Sequence, residues 1–109
     1  MAIHHAEAGE VVDLRPLGGK LKETKTTAIT KADHFEAIRL IVPAGASIDP
    51  HAVAGDLTLL CLEGRIKLGL TMREIELVAG EWLYLPGGET HSVKGLEDSS
   101  LLLTILLKR

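Results

Sequence analysis

The stretch Gly80-Glu-Trp-Leu-Tyr-Leu-Pro-Gly-Gly-Glu-Thr-His91 places a short apolar segment between a glycine and a Pro-Gly-Gly turn. This pattern predicts a strand over residues 81–85 that ends in a tight turn. His91 follows the turn and is predicted to open the next strand, over residues 91–94. An earlier stretch has the same organisation, with Gly45, then His51 after five intervening residues, and then Gly64. Each histidine is therefore predicted to follow a turn that opens a strand, so that both can face one cavity.

The segments between the other glycines and prolines alternate apolar and polar residues with a period of two, which is typical of strands. Strands are predicted over the threonine-rich residues 24–30, over 34–42, 57–62 and 99–107, and as a hairpin over 66–70 and 75–77. Residues 11–14 form a short apolar segment, and a loop is predicted at 17–19. A helix over residues 96–109 is the alternative to the last strand, since leucine favours helices. About eight to ten short strands predict an all-β sandwich or barrel.

The length and composition exclude several classes of protein. A chain of 109 residues corresponds to a single domain, expected over residues 1–109. With a net charge of -3 and one Phe, one Trp and one Tyr, it has neither a basic face nor a stacking platform, so nucleic acid is not an expected partner. The longest apolar run, at 101–107, is too short to span a membrane. The chain start lacks signal-peptide features and Cys61 has no second cysteine, so a cytoplasmic location is expected.

The two glycine and histidine blocks resemble the paired motifs of the cupin family, in its small single-domain, RmlC-like (cupin type-2) form. The first motif of that family has the spacing of Gly45, His51 and Gly64. The second is matched in order by Gly80, Pro86, Gly88 and His91. Motif one then spans residues 45–64, an inter-motif hairpin 65–79 and motif two 80–95. The resemblance implies a double-stranded β-helix, which is the cupin or jelly-roll barrel.

Cupins that bind a metal typically hold it with three histidines and one glutamate, and this chain resembles them only in part. Val53 stands at the position of the second histidine, Leu57 at that of the glutamate, and Gly95 at that of the motif-two asparagine. His51 and His91 remain as candidate ligands for Fe, Mn, Ni, Zn or Cu. Two imidazoles without a carboxylate make a poor divalent site.

The substituted positions are apolar, which favours a ligand pocket over a metal centre. In a regular strand, Val53, Leu57, Leu59 and Cys61 share the face of His51. A glutamate buried there without a cation would be costly, so a leucine is consistent with an apolar cavity. Tyr84, on the strand that leads to His91, either offers a hydroxyl to a ligand or packs. The predicted pocket consists of His51, Val53, Leu57, Leu59, Cys61, Tyr84 and His91.

Other polar side chains have alternative interpretations. Cys61 is either a small buried hydrophobe or a soft metal ligand or nucleophile, and burial is favoured because no basic residue adjoins it in sequence. Glu89 is either a solvated turn residue or a carboxylate ligand at the cavity mouth. His34 is expected at the surface, and His4 and His5 in an arm at the start of the chain.

The last predicted strand is apolar on both faces. Leu101, Leu103, Ile105 and Leu107 alternate with Leu102, Thr104 and Leu106. One of these faces would meet water in an isolated barrel, so it is a candidate subunit interface. Cupins commonly pair through such sheet surfaces, and the resemblance therefore also implies a homodimer.

Three functions are compatible with these residues. The first is a module that binds a small organic ligand in the barrel, as a sensor, carrier or accessory protein. The alternative is a metal-dependent enzyme of dioxygenase or isomerase type, with His51, His91 and an unrecognised third ligand. The third is a metal-free isomerase or lyase in which one of the two histidines acts as a general base. The sequence leaves open whether the chain is an enzyme.

Overall fold

The computed structural model describes residues 4–107, which form nine strands and one short 3-10 helix. The 3-10 helix spans Gly18–Glu23. The strands, in chain order, are β1 (Thr27–Lys31), β2 (Phe35–Val42), β3 (Ser47–His51), β4 (Leu57–Glu63), β5 (Arg65–Leu70), β6 (Glu74–Val78), β7 (Trp82–Leu85), β8 (His91–Gly95) and β9 (Ser99–Leu106). Within residues 4–107, no helix has the length and apolar character needed to cross a bilayer.

The strands form two antiparallel sheets that enclose one apolar core. The five-stranded sheet has the order β1-β2-β9-β4-β7, and the four-stranded sheet has the order β3-β8-β5-β6. Strands distant in sequence are thus neighbours, and the buried residues come from both sheets: Val42, Leu57, Leu59, Cys61, Ile66, Leu68, Leu77, Leu85, Val93 and Leu101. Packing of the two inner faces removes these side chains from water, which is the main stabilising term of such a fold. The all-β prediction is confirmed.

Most predicted strands match the structure closely. The hairpin predicted over residues 66–70 and 75–77 is β5–β6, and the strands predicted at 34–42, 57–62 and 81–85 are β2, β4 and β7. Residues 99–106 are extended in β9, so the helical alternative for this region is wrong. Its residues satisfy their backbone hydrogen bonds by pairing with both β2 and β4, which overrides the helix preference of leucine.

The structure differs from the prediction at one loop and one strand. The predicted loop at 17–19 is wrong in part, because the 3-10 helix begins at Gly18, and the short apolar segment at 11–14 lies outside the strands. His51 lies at the end of β3, the strand that the turn at Gly45 opens, and no separate strand was predicted over residues 47–51. The strand β3 contains a single apolar residue, Ile48, between polar ones, so it carries no periodic signal that could have revealed it.

A one-residue turn at Gly64 joins β4 to β5. Its backbone φ is 83°, a left-handed value that glycine adopts without strain. A Cβ atom at this position would lie 2.3 Å from the backbone oxygen of Asp98. The closing glycine of motif one is therefore required both by the turn and by the close approach of the segment before β9.

A buried ion pair holds the segment before β1 against the five-stranded sheet. The Glu63 carboxylate accepts hydrogen bonds from the backbone N–H of Leu17 at 2.9 Å and of Gly18 at 3.1 Å. Arg39 Nη2 lies 3.2 Å from the same carboxylate and donates to the carbonyl oxygen of Arg15 at 2.9 Å. The two side chains are only 10% and 13% exposed. Residues 15–18 are thereby fixed over β2 and β4.

The strand β9 divides its side chains between the two faces as the sequence alternation predicted. Leu101 is fully buried in the core, and Leu103 and Ile105 pack against it. Leu102 and Leu106 lie on the opposite face, where Leu106 is 50% exposed. One apolar side of the strand therefore meets solvent in the isolated chain.

The outer face of the five-stranded sheet carries all three aromatic residues of the chain. Phe35 is the register partner of Leu106, and Leu60 pairs with both Trp82 and Leu102. Tyr84 and Trp82 are each 59% exposed, and Phe35 is 38% exposed. The outer apolar face of the protein consists of Phe35, Leu102, Leu106, Trp82 and Tyr84.

Candidate ligand site

Two histidines face each other at one end of the four-stranded sheet. His51 is the last residue of β3 and His91 the first of β8, and antiparallel pairing makes them register partners. Their ring centroids lie 4.4 Å apart, with the planes tilted by 57°. His91 is only 5% exposed, whereas His51 is exposed to solvent. One imidazole is thus inside the barrel and the other at its rim.

The two imidazoles line a cavity of about 130 Å³ between the sheets. The rest of its wall is aliphatic and is contributed by five strands: Leu40 of β2, Ile48 of β3, Leu59 of β4, Val93 of β8 and Leu103 of β9. Within the described chain, no Lys, Arg, Asp or Glu lines this cavity. An apolar concave wall with a few converging polar groups is the usual construction of a small-molecule site.

Backbone carbonyl groups fix the tautomer of both imidazoles. His51 Nδ1 lies 3.1 Å from the Asp49 carbonyl oxygen, and His91 Nδ1 lies 3.0 Å from that of Glu89. A carbonyl oxygen only accepts hydrogen bonds, so each Nδ1 carries the proton in the neutral ring. Each Nε2 then has a free lone pair, and neither makes a hydrogen bond to any residue between 4 and 107.

The structure brings together only part of the predicted pocket. His51, Leu59 and His91 line the cavity. Leu57 is 2% exposed and lies on the inward face of β4, as predicted, but it packs in the core beyond the cavity wall. Val53 lies in the loop between β3 and β4, because β3 ends at His51 and the regular alternation stops there.

Tyr84 lies on the outside of the barrel. It is 59% exposed, and it pairs in register with Thr58, which is not part of the cavity wall. Its neighbours on β7, Leu83 and Leu85, are the residues that turn towards the core. The period of two in β7 thus places the Tyr84 hydroxyl on the face opposite to the cavity.

Cys61 is a buried core residue that does not line the cavity. It is 1% exposed, and its thiol donates to the Glu63 carbonyl oxygen at 3.4 Å. Burial raises the pKa of the Cys61 thiol, and the negative charges of nearby glutamates act in the same direction. The neutral thiol is therefore the stable form, which is a poor nucleophile and a poor metal ligand.

The donor atoms at this site do not fit the four-ligand metal centre of a typical cupin. Within the described part of the chain, no group of three or more His, Cys, Asp or Glu side chains is arranged to hold an ion. Glu89 supplies its backbone carbonyl to His91, while its carboxylate accepts from Thr71 Oγ1 at 3.3 Å. Two imidazoles leave most coordination positions of a divalent ion without a protein ligand.

Sequence reasoning missed four residues of the cavity wall: Leu40, Ile48, Val93 and Leu103. The alternation in β2 and β9 placed Leu40 and Leu103 on faces that could turn inward. Which inward residues reach the cavity depends on register, since Leu103 pairs with Leu59 whereas Leu40 pairs with Leu101. That pairing joins strands far apart in the chain, and no local pattern encodes it.

Comparison with known proteins supports the fold through structure alone. No protein-family model and no curated protein sequence matches this chain. A conserved protein of unknown function from Streptococcus pyogenes is similar, with 18% identity and a TM-score of 0.78 over 100% of this chain and 97% of that one. A cupin superfamily protein from Desulfitobacterium hafniense has 20% identity and a TM-score of 0.77, covering 94% of this chain and 100% of that one.

An RmlC-like cupin from Shewanella frigidimarina is also similar, with 19% identity and a TM-score of 0.73. The alignment covers 99% of this chain and 94% of that one, so the likeness extends over the whole barrel. The two antiparallel sheets agree with the double-stranded β-helix that the motif resemblance implied. The chain described here therefore has the fold of a small cupin.

Proposed function

We propose that this protein binds a small organic molecule in the cavity between its sheets, as a sensor, carrier or accessory module. The observation that carries the proposal is the pairing of two imidazoles with a five-residue aliphatic wall. Burial of an apolar ligand body against that wall supplies affinity, and the imidazoles orient its polar group. Neither interaction requires a metal ion.

Binding can be tested by methyl NMR of the chelator-treated protein against a library of small compounds. We expect ligands to shift the methyl resonances of Leu59, Val93 and Leu103, because these side chains form the wall. His51→Ala should weaken binding while leaving the fold intact, since His51 is exposed. The matched control is His34→Ala, which removes another exposed histidine outside the cavity. A screen in which no compound shifts the wall resonances would contradict the proposal.

The alternative, a metal-dependent dioxygenase or isomerase, can be tested by elemental analysis of protein purified without chelator. The donor set of His51 and His91 predicts substoichiometric Fe, Mn, Ni, Zn and Cu. Stoichiometric metal that is lost in His51→Ala but kept in His34→Ala would overturn the ligand-binding proposal in favour of this enzyme class.

We also propose that two copies of the chain pair through the outer apolar face. Three aromatic and two leucine side chains on one side of a sheet form the kind of exposed apolar patch that marks interaction sites. Light scattering of the purified protein should give the mass of a dimer. Trp82→Lys should shift the mass to that of a monomer. Met72→Lys should not, because Met72 is also open to solvent but lies in the β5–β6 turn of the four-stranded sheet, outside the outer apolar face. A monomer in the unmodified protein would contradict this arrangement.

A further inference from the structure

We infer that the cavity selects a neutral compound of about one ring in size that carries a hydroxyl group, a phenol or a compact alcohol. This inference rests on the proposed function and narrows it to a ligand class. It follows from three properties of the site: the hydrogen-bonding state of the imidazoles, the charge of the wall and the volume.

The free ring nitrogens accept hydrogen bonds and do not donate them. Both Nδ1 atoms are held by the carbonyl oxygens of Asp49 and Glu89, at 3.1 and 3.0 Å. The Nε2 atoms of His51 and His91 are therefore acceptors in the neutral rings, and both rings line the cavity. A ligand that satisfies them must present a donor, such as O–H.

The wall of the cavity disfavours a charged ligand. The five remaining wall residues are aliphatic, and no Lys or Arg among the described residues lines the cavity to neutralise an anion. A carboxylate would also bring its lone pairs against those of Nε2. An ammonium group would lose its hydration against aliphatic carbon without a carboxylate to pair with, which is costly. A neutral hydroxyl compound incurs neither penalty.

The volume limits the ligand to a single ring. The cavity measures about 130 Å³, and an engineered apolar cavity of about 150 Å³ in another protein binds benzene. Drug-sized ligands occupy pockets of about 300 Å³ or more. The apolar body of the ligand can therefore contact Leu59, Val93 and Leu103, with its hydroxyl at the imidazole pair.

The test compares phenol, benzene and benzoate by methyl NMR titration in a buffer that contains EDTA. Phenol should bind about tenfold more tightly than benzene, which corresponds to one net hydrogen bond. Benzoate should bind at least about tenfold more weakly than phenol, because it meets acceptors only. His91→Leu should abolish the preference for phenol and leave benzene affinity within about threefold, since leucine keeps the site apolar.

His51→Leu is a second test variant for the case that His91→Leu does not fold. We expect it to fold, because His51 is at the solvent-exposed rim of the cavity. This variant should reduce the phenol preference, whereas the control His34→Leu should not. Equal affinities for phenol and benzene, or a preference for benzoate, would overturn the hydroxyl inference while benzene binding upholds the proposed function. If none of the three compounds shifts the wall resonances in folded protein, the hydroxyl inference fails, whereas the proposed function fails only if the whole compound library also gives no shift.

Discussion

The Arg39–Glu63 ion pair provides the sharpest test of how this fold is stabilised. Its carboxylate accepts from two backbone N–H groups, from Arg39 Nη2 and from Ser100 Oγ. Burial alone would raise the pKa of Glu63, but the Ser100 hydrogen bond, the two backbone N–H groups and the Arg39 charge outweigh it, and the pKa is lowered. The folded chain thus favours the ionised form.

We expect Glu63→Gln to reduce the free energy of unfolding by about 3–5 kcal/mol, the usual cost of removing one partner of a buried pair. The amide keeps the shape of the side chain but deprives the Arg39 guanidinium, which is 10% exposed, of its ion-pair partner. A loss of this size is a large part of the roughly 5–15 kcal/mol that stabilises a domain. Glu23→Gln, at an exposed position in the 3-10 helix, is the matched control and should cost less than about 0.5 kcal/mol.

Urea denaturation of Arg39→Met, Glu63→Gln and the double variant measures the coupling directly. The double variant should lose less stability than the sum of the single variants, because no buried charge then remains unpaired. The sign of the pH dependence follows from the lowered pKa. The contribution of Glu63 to the free energy of unfolding is fully present above pH 4.5, the ordinary pKa of its carboxyl group. This contribution is lost as the pH falls through the lower pKa that the group has in the folded protein. Single-variant losses that simply add, or an unchanged acid response in Glu63→Gln, would refute this reasoning.

Three further predictions concern the core and one turn. Leu101→Ala should lower the free energy of unfolding, measured by urea denaturation, by about 2–5 kcal/mol, because Leu101 is 0% exposed and its truncation leaves a cavity. A loss below about 1 kcal/mol would contradict the central position of Leu101 in the core. Gly64→Ala should lower the free energy of unfolding by more than about 1 kcal/mol, since the φ of Gly64 is 83° and the new Cβ would meet backbone atoms. Gly19→Ala is its control, because a Cβ there meets nothing within 4 Å. The Cys61 thiol, whose pKa is raised by burial, should react with a chromogenic disulfide at least about 100-fold more slowly in native than in urea-unfolded protein. Equal rates in the two states would show that the thiol is accessible.

The strands with a strong local pattern could be predicted from sequence, and those without one could not. The strands β2, β4 and β7 alternate or run apolar between turn residues, and their bounds were predicted to within one residue. The strand β3 escaped prediction because four of its five residues are polar or proline. It is a strand only because β8 lies beside it and supplies hydrogen-bond partners. Its formation is thus a tertiary effect.

In the candidate site, too, some features follow from local sequence patterns and others only from the pairing of strands. His51 and His91 could be singled out because glycine and proline turns place them at strand ends. Tyr84 was included because it lies near His91 in sequence, yet the outward side of β7 carries it away from the cavity. The protonation of both Nδ1 atoms could not be predicted, since it depends on the path of the backbone two residues before each histidine.

The sequence by itself determined the fold class, the two-motif organisation and the pair of histidines, because turn residues and a period of two act over a few neighbouring positions. The tertiary structure decided which side chains form the cavity wall, which aromatic residues face solvent and how Glu63 and Arg39 meet. These features depend on the pairing of β2 and β4 with β9, and of β3 with β8. Contacts between distant strands are set by the packing of the whole core, and no short stretch of sequence contains that information.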